Sequence, residues 1–285
     1  MSVSAFRRSA RPLMSAVLLA GAALVAWIVI VDRMRGMDAG PGTDLGGLGW
    51  YLGIWVTMLA AMMLPSAAPM TVMFARVSGT APTAIFVLGY LAAWTAYGLL
   101  AYGAFRLLLA AGGNWLAWDR AGPFVAGGAL AAAGLYQLSP LKEACLRHCR
   151  GPFHYVVHGF RRGRLGALRM GAEHGLYCIG CCWGLMLALF ALGVMSLFWM
   201  VVVSTAIFAE KVLPYGLPLS RVFAAALIVL GLCVASMPAS VPGLAEPNSD
   251  QAKQARSRMM GGQMKRDPGP RSQLPGSPKD MSGRP

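Results

Sequence analysis

Charged residues are scarce in this chain of 285 residues: they make up 13% of it, and only 11 residues are acidic. Soluble domains contain about 25% charged residues on average. Hydrophobic residues make up 56% of the chain, and the mean hydropathy is +0.56. The chain lacks the polar surface that a soluble globular domain needs, so the sequence excludes that class.

Several motifs of common enzymes are also missing. The chain contains no P-loop, no GxGxxG segment after a strand, and no HExxH zinc-protease motif. In a soluble protein the net charge of +14 would indicate a nucleic-acid partner. Here the basic residues collect between apolar runs, as they do in the loops of membrane proteins. The sequence therefore predicts no nucleic-acid partner, and it favours a binding protein over an enzyme.

Long apolar runs are what the chain does have. They cover residues 12–31, 45–75, 77–105, 121–141 and 175–209, and a sixth run, 222–245, is apolar over its first half. A helix of about 20 apolar residues spans a bilayer, so the 175–209 run is long enough for two spans, 175–192 and 195–211, with a turn at Gly193. The sequence predicts an all-α polytopic membrane helix bundle of about seven transmembrane helices, with six as the alternative.

The distribution of lysine and arginine predicts the orientation of this bundle. Positive residues favour the cytoplasmic side of membrane proteins, and the loop bias places the N-terminus and the 145–169 loop in the cytoplasm. We expect residues 1–237 to form the membrane domain, in contact with the lipid bilayer. The basic tail, 238–285, is rich in Pro, Gly and Ser and also contains Met, and its composition predicts disorder.

A first cysteine cluster lies between two apolar runs. Ser139 is a good N-cap and Gly151 a good stop signal, so the segment between them predicts a short helix. On that helix Cys145 and Cys149 are four residues apart and share one face, with His148 on the same side. The basic residues of this helix, which are Lys142, Arg147 and Arg150, supply positive charge that favours thiolates.

A second cysteine cluster opens the next apolar run. Cys178 is three residues before Cys181 and four before Cys182, and His174 is one helical turn before Cys178. This spacing puts the three cysteines and the histidine along one stripe of a helix. If that helix begins near His174, the positive end of its dipole stabilises thiolates as well.

The loop between the two clusters is long enough for the two faces to meet in one sulfur site. The predicted metal ligands are Cys145, Cys149, Cys178, Cys181, Cys182, His148 and His174. Thiolates with low coordination number suit Cu(I), and tetrahedral sulfur and nitrogen ligation suits Zn(II). We expect Cu(I) first and Zn(II) second. Glu210 and Lys211 end the 195–211 span, where charge indicates either a functional group or an interfacial position.

These motifs resemble those of a bacterial family described as "predicted metal-binding integral membrane protein", some of whose members are described as copper chaperones. The similarity covers about residues 50–235. The segments that carry it are Ala-Met-Met-Leu-Pro at 61–65 with Pro69, the 136–142 segment with Cys145, Cys149 and Pro152, the 175–186 segment with its three cysteines, and Gly193, Met195, Met200, Glu210 and Lys211. The resemblance implies a metal-binding protein of the bacterial inner (plasma) membrane.

Three functions are compatible with the thiols. The favoured one is a membrane protein that acquires a soft metal ion or hands it to a recipient, which would be a metallochaperone or a metalloenzyme. One alternative is a membrane thiol–disulfide oxidoreductase in which Cys178 and Cys181 exchange disulfides and Cys145 and Cys149 relay electrons. The other is a structural metal clip that pins the 139–174 loop to the bundle.

Overall fold

The computed structural model describes residues 3–35, 45–112, 121–151, 160–193 and 196–242, together with residues 244, 253, 254 and 257. Within these ranges the chain forms helices and contains no strand. The helices are α1 (Val3–Met34), α2 (Leu48–Ser78), α3 (Thr80–Gly112), α4 (Gly122–Gln137), α5 (Pro140–Arg150), α6 (Gly163–Leu192), α7 (Leu197–Val212) and α8 (Gly216–Ser236). The predicted all-α fold is confirmed. Most of the predicted tail lies outside the described residues.

Five of the described helices are long and apolar enough to cross a membrane: α1 from Pro12, α2, α3 to Leu108, α6 and α8. Helices α4 and α5 make a sixth if they count as one span, which is bent by 64°. The remaining expected span, 195–211, corresponds to α7, which has 16 residues. At 1.5 Å per residue it measures about 24 Å, less than the roughly 30 Å of a hydrocarbon core. Helix length therefore supports five or six crossings.

Helix α6 begins earlier than the sequence indicated. It starts at Gly163, which has a φ of 84°, after Arg162 in an extended conformation. The basic stretch before His174 is therefore helical, and the expected helix start near that histidine is wrong. The cysteines lie in the middle of a 30-residue helix, beyond the reach of a dipole effect that is confined to the first turn. The predicted turn at Gly193 is confirmed, because α6 ends there.

Close helix contacts depend on glycines. Gly171 and Gly175 of α6 face α3, where a Cβ at Gly171 would overlap the carbonyl oxygen of Phe86. Gly127 of α4 and Gly231 of α8 face each other, and a Cβ at Gly231 would lie 2.6 Å from the Gly127 oxygen. Small residues of this kind let helix backbones approach closely in apolar bundles. The close contact between α6 and α3 therefore also positions the second cysteine cluster, because α6 carries it.

We expect Gly171→Ala to lower the thermal unfolding midpoint of the detergent-solubilised protein, because the added methyl group forces α3 and α6 apart. Overpacking of this type costs about 1–3 kcal/mol. The matched control is Gly103→Ala on α3, where a Cβ meets nothing within 4 Å. An unfolding midpoint for Gly171→Ala equal to that of the control would show that the two helices tolerate separation.

Candidate metal centre

Helix α5 presents the first cysteine cluster as the sequence predicted. The Ser139 side chain caps the helix by accepting a hydrogen bond from the Lys142 backbone N–H at 3.2 Å, and the helix ends before Gly151. Cys149 is buried on the face that packs against α6, whereas Cys145 is half-buried. Local capping signals therefore place both thiols beside α6.

Helix α6 contributes three thiols to the interior of the bundle. Cys178, Cys181 and Cys182 are at most 2% exposed, and their sulfur atoms all lie within 4.8 Å of one another. The Cys181 thiol donates to the Cys178 carbonyl oxygen at 3.2 Å, a contact within one helical turn. The spacing of three and four residues puts the sulfurs on one face, which is the face turned to the core.

The two clusters meet at Cys149. Its sulfur is 3.7 Å from that of Cys181, and the sulfurs of Cys181 and Cys182 are 3.3 Å apart. All six cysteines of the chain are free thiols. We refer to Cys149, Cys178, Cys181 and Cys182 as the thiol cluster. The expectation that the two helical faces fold together is therefore confirmed for four of the five cysteines.

Cys145 lies at the edge of the thiol cluster. Its sulfur sits over Gly180, where a Cβ would approach it to 2.6 Å. The Tyr136 hydroxyl donates a hydrogen bond to the Gly180 carbonyl oxygen. The absence of a side chain at Gly180 thus leaves the space that the Cys145 thiol fills.

Neither histidine joins the group of close sulfur atoms. His148 is exposed, and its ring stacks on Tyr177 at 4.2 Å between ring centroids, while Nδ1 lies 3.1 Å from the Ala144 oxygen. His174 is buried next to the rings of Phe86 and Tyr90. Among the described residues, the mutually close metal-ligating atoms are the sulfurs of α6. The nitrogen donors are therefore in the neighbourhood of the thiol cluster but outside it.

A buried lysine contacts the thiol cluster, and the sequence analysis did not assign it there. Lys211 of α7 is 7% exposed, and its Nζ donates to the Cys178 sulfur at 2.9 Å and to the Ser66 hydroxyl at 3.3 Å. The Tyr90 hydroxyl lies 3.0 Å from the same sulfur. A lysine at the end of an apolar run was the available signal, since such residues are rare unless they are functional. Its hydrogen-bond partners come from α2 and α6, which no local pattern connects.

The basic residues of α5 have other partners than the thiols. Lys142 and Glu210 are each 1% exposed and form an ion pair, with Lys142 Nζ 2.7 and 2.8 Å from the two carboxylate oxygens. The Gln137 amide donates to the same carboxylate at 3.1 Å. Arg147 pairs with Glu143 on the surface, and Arg150 donates to the Glu210 carbonyl oxygen at 2.9 Å. Lys142 and Arg150 therefore dock α5 on α7, and Arg147 pairs within α5. These hydrogen bonds and ion pairs engage the charges that were expected to act on the thiols.

These contacts define a class of protein: an apolar helical bundle with four buried thiols in its interior and an ammonium group in contact with one of them, an arrangement that fits the binding of a soft metal ion. A family model for PpoB2, described as a copper chaperone, matches residues 52–234. The chain belongs to this family, and the resemblance drawn from the motifs is confirmed. The match includes both cysteine clusters and Lys211. No curated protein and no solved structure matches the chain.

Proposed function

We propose that this protein binds Cu(I) in the thiol cluster and passes it to, or receives it from, a partner protein. The observation that carries the proposal is the meeting of Cys149 from α5 with Cys178, Cys181 and Cys182 from α6. Sulfur ligands of this kind select soft ions such as Cu(I). The copper chaperone family of the chain supports the same metal. The proposed recipient is a metallochaperone or a metalloenzyme.

The charge of Lys211 matches that of a Cu(I) ion bound by two thiolates. A Cu(I) ion with two thiolates carries one net negative charge, which the ammonium group of Lys211 neutralises. A Zn(II) ion bound by all four thiolates of the cluster carries two negative charges, and one of them stays uncompensated. Net charge in an apolar interior is costly. Zn(II) is therefore the second candidate, and His148 and His174 remain the proposed nitrogen ligands for a mixed site.

The proposed location is a bacterial inner membrane. Large apolar side chains are exposed on the outer faces of several long helices, for example Leu18 at 64%, Leu100 at 74% and Leu232 at 62%. A soluble protein rarely exposes apolar surface on this scale, and lipid tails would cover it. We propose a cytoplasmic N-terminus, because the basic loops favour that side. With six crossings, in which α4 and α5 count as one span, the end of α5 lies on the same side. The reducing cytoplasm would keep the cysteines as thiols.

The test is metal analysis of protein purified without oxygen in detergent and loaded with Cu(I), with Zn(II) in a parallel sample. We expect one Cu(I) per chain in the wild type, measured by plasma mass spectrometry. A Cys178→Ser/Cys181→Ser/Cys182→Ser variant is expected to bind none. The matched control is Cys233→Ser, which changes the half-buried cysteine of α8. A wild type without stoichiometric metal would contradict the proposal.

A redox function is the second candidate, because the Cys149 and Cys181 sulfurs are 3.7 Å apart and belong to different helices. A small movement would let them form a disulfide, whose S–S bond is about 2.05 Å long. Differential alkylation of the metal-free protein distinguishes the two functions. Reversible oxidation of this pair in cells would favour thiol–disulfide exchange, whereas permanently reduced thiols with bound copper would favour metal handling.

The third reading, a structural metal clip, predicts a different result in the same samples. Removal of the metal from a clip would unfold the region around α5, because the free energy of metal binding then contributes to folding. Thermal unfolding of the loaded and the stripped protein measures this difference. The α5 contacts formed by Lys142 and Arg150 are independent of any metal, which favours a folded metal-free protein.

A further inference from the structure

The five cysteines of the two clusters differ in exposure in a graded way. Cys178 is 0% exposed, Cys181 1%, Cys182 2% and Cys149 8%, whereas Cys145 is the half-exposed member. Cys178 is the most deeply buried of the five and contacts Lys211, whereas Cys145 is the most exposed. The thiols therefore form a series from the surface of α5 to the core.

Each step in this series is short. Cys145 and Cys149 are one helical turn apart on α5, a spacing of about 5–6 Å between Cβ atoms. The next sulfur separations are 3.7 Å to Cys181 and 3.3 Å from there to Cys182. Thiolates are ligands of Cu(I), and an ion of low coordination number can pass between thiols at such spacing because a new sulfur bond forms before the previous one breaks.

The position of Cys145 is a built feature of the fold. Gly180 has no side chain, and a Cβ there would lie 2.6 Å from the Cys145 sulfur and 3.4 Å from its Cβ. The Tyr136 hydroxyl holds the carbonyl group of this glycine from the other side. Lys142 and Arg150 anchor α5 against α7 at either end of the segment that carries the thiol. The half-exposed thiol is thus held against α6, where the buried thiols begin.

We infer that Cys145 is the transfer thiol of the site, the group that exchanges Cu(I) with a carrier that holds the ion on its own thiolates. The inference rests on the proposed function. The Cys145 sulfur forms a bond to the Cu(I) of the carrier, and one carrier sulfur–copper bond breaks. Cys149 then replaces the second carrier sulfur. A buried cysteine binds the ion next, and the Cys145 sulfur–copper bond breaks, so that the Cys145 thiolate takes up a proton again. Each protein thiol loses one proton when it binds, and each departing carrier thiolate gains one, so copper stays Cu(I) throughout.

The experiment follows the rate of copper loading separately from the final amount. Protein in detergent is mixed without oxygen with the Cu(I)–glutathione complex, and samples are desalted at intervals for metal analysis. We expect Cys145→Ser to load about tenfold more slowly or worse, since misplacing a reacting group by about 1 Å can cost a factor of 100. The final copper per chain is expected to equal that of the wild type.

A second variant tests the same inference without removing a thiol. Gly180→Ala places a methyl group where the Cys145 sulfur lies, so we expect slow loading and full final occupancy here too. The control is Cys233→Ser on α8, which should load at the wild-type rate. Circular dichroism and the thermal unfolding midpoint verify that each variant is folded.

The outcomes separate the inference from the proposed function. Slow loading with full occupancy in both variants supports the transfer role. Loading of Cys145→Ser at the wild-type rate overturns it and leaves the proposed function intact. Loss of final occupancy in Cys145→Ser makes this cysteine a resident ligand, which also overturns the transfer role. A wild type that takes up no copper refutes both proposals.

Discussion

Glu210→Ala is expected to destabilise the protein by about 3–5 kcal/mol, the cost of removing one partner from a buried ion pair. The substitution leaves the Lys142 ammonium group buried at 1% exposure, with Gln137 as its remaining polar partner in this network. Thermal unfolding of the metal-free protein in detergent measures the loss. Because the pair docks α5 on α7, we also expect less bound copper, since Cys149 would no longer be held against Cys181.

Two controls test whether the loss of stability comes from leaving the Lys142 charge buried without its carboxylate partner. Glu143→Ala breaks the exposed pair with Arg147 on the same helix, and surface pairs contribute only about 0–1 kcal/mol. The double variant Lys142→Met/Glu210→Leu removes both buried charges and is expected to recover most of the stability, because apolar replacements of buried pairs are often neutral. Equal unfolding midpoints for Glu210→Ala and Glu143→Ala would contradict the assigned role of the buried pair.

Lys211→Met is expected to weaken Cu(I) binding by about 10- to 100-fold. The loss corresponds to a charge-assisted hydrogen bond of about 1.5–3 kcal/mol. Methionine keeps the approximate length of the side chain and removes the positive charge that lies 2.9 Å from the Cys178 sulfur. Competition with a chromophoric Cu(I) chelator at fixed pH measures the affinity.

The control for this prediction is Ser66→Ala, which removes the second partner of Lys211 and keeps its charge. We expect this variant to bind Cu(I) almost as tightly as the wild type. Zn(II) affinity is a second measurement: a complex with four thiolates carries one more negative charge than a Cu(I) dithiolate, so the charge argument predicts that Lys211→Met weakens Zn(II) binding at least as much as Cu(I) binding. A Cu(I) affinity unchanged in Lys211→Met would show that the lysine is structural and plays no part in metal binding.

Much of the architecture could be predicted from local patterns in the sequence. The apolar runs predicted helices, Ser139 and Gly151 predicted both ends of α5, and Gly193 predicted the end of α6. The spacing of Cys178, Cys181 and Cys182 identified one helical face. These features are set by hydrogen bonds and side-chain periodicity within a few residues, which is why the sequence carries them.

The remaining features depend on contacts between distant segments. The start of α6 was misplaced because its first turns carry arginine and glycine, a composition that also suits a loop. The charge beside the thiols was assigned to Lys142, Arg147 and Arg150, whereas the basic residue in contact with Cys178 is Lys211. The difference arises from Glu210, which forms an ion pair with Lys142 and so directs that lysine to a carboxylate. No periodicity in the sequence predicts which of two buried lysines faces a carboxylate and which faces a thiol.

Glu210 and Lys211 are consecutive residues, yet they face different helices: the carboxylate binds α5, and the ammonium group binds the thiols of α6. Two adjacent residues therefore carry both the docking of α5 and the positive charge beside the thiol cluster. A shift of α7 displaces both contacts together, so we expect the proposed copper binding to be thermodynamically linked to the docking of α5. Such linkage is reciprocal. Bound copper would stabilise the docking of α5 on α7, and a recipient protein that displaces α5 would lower the copper affinity of the site and so favour transfer of the ion to itself.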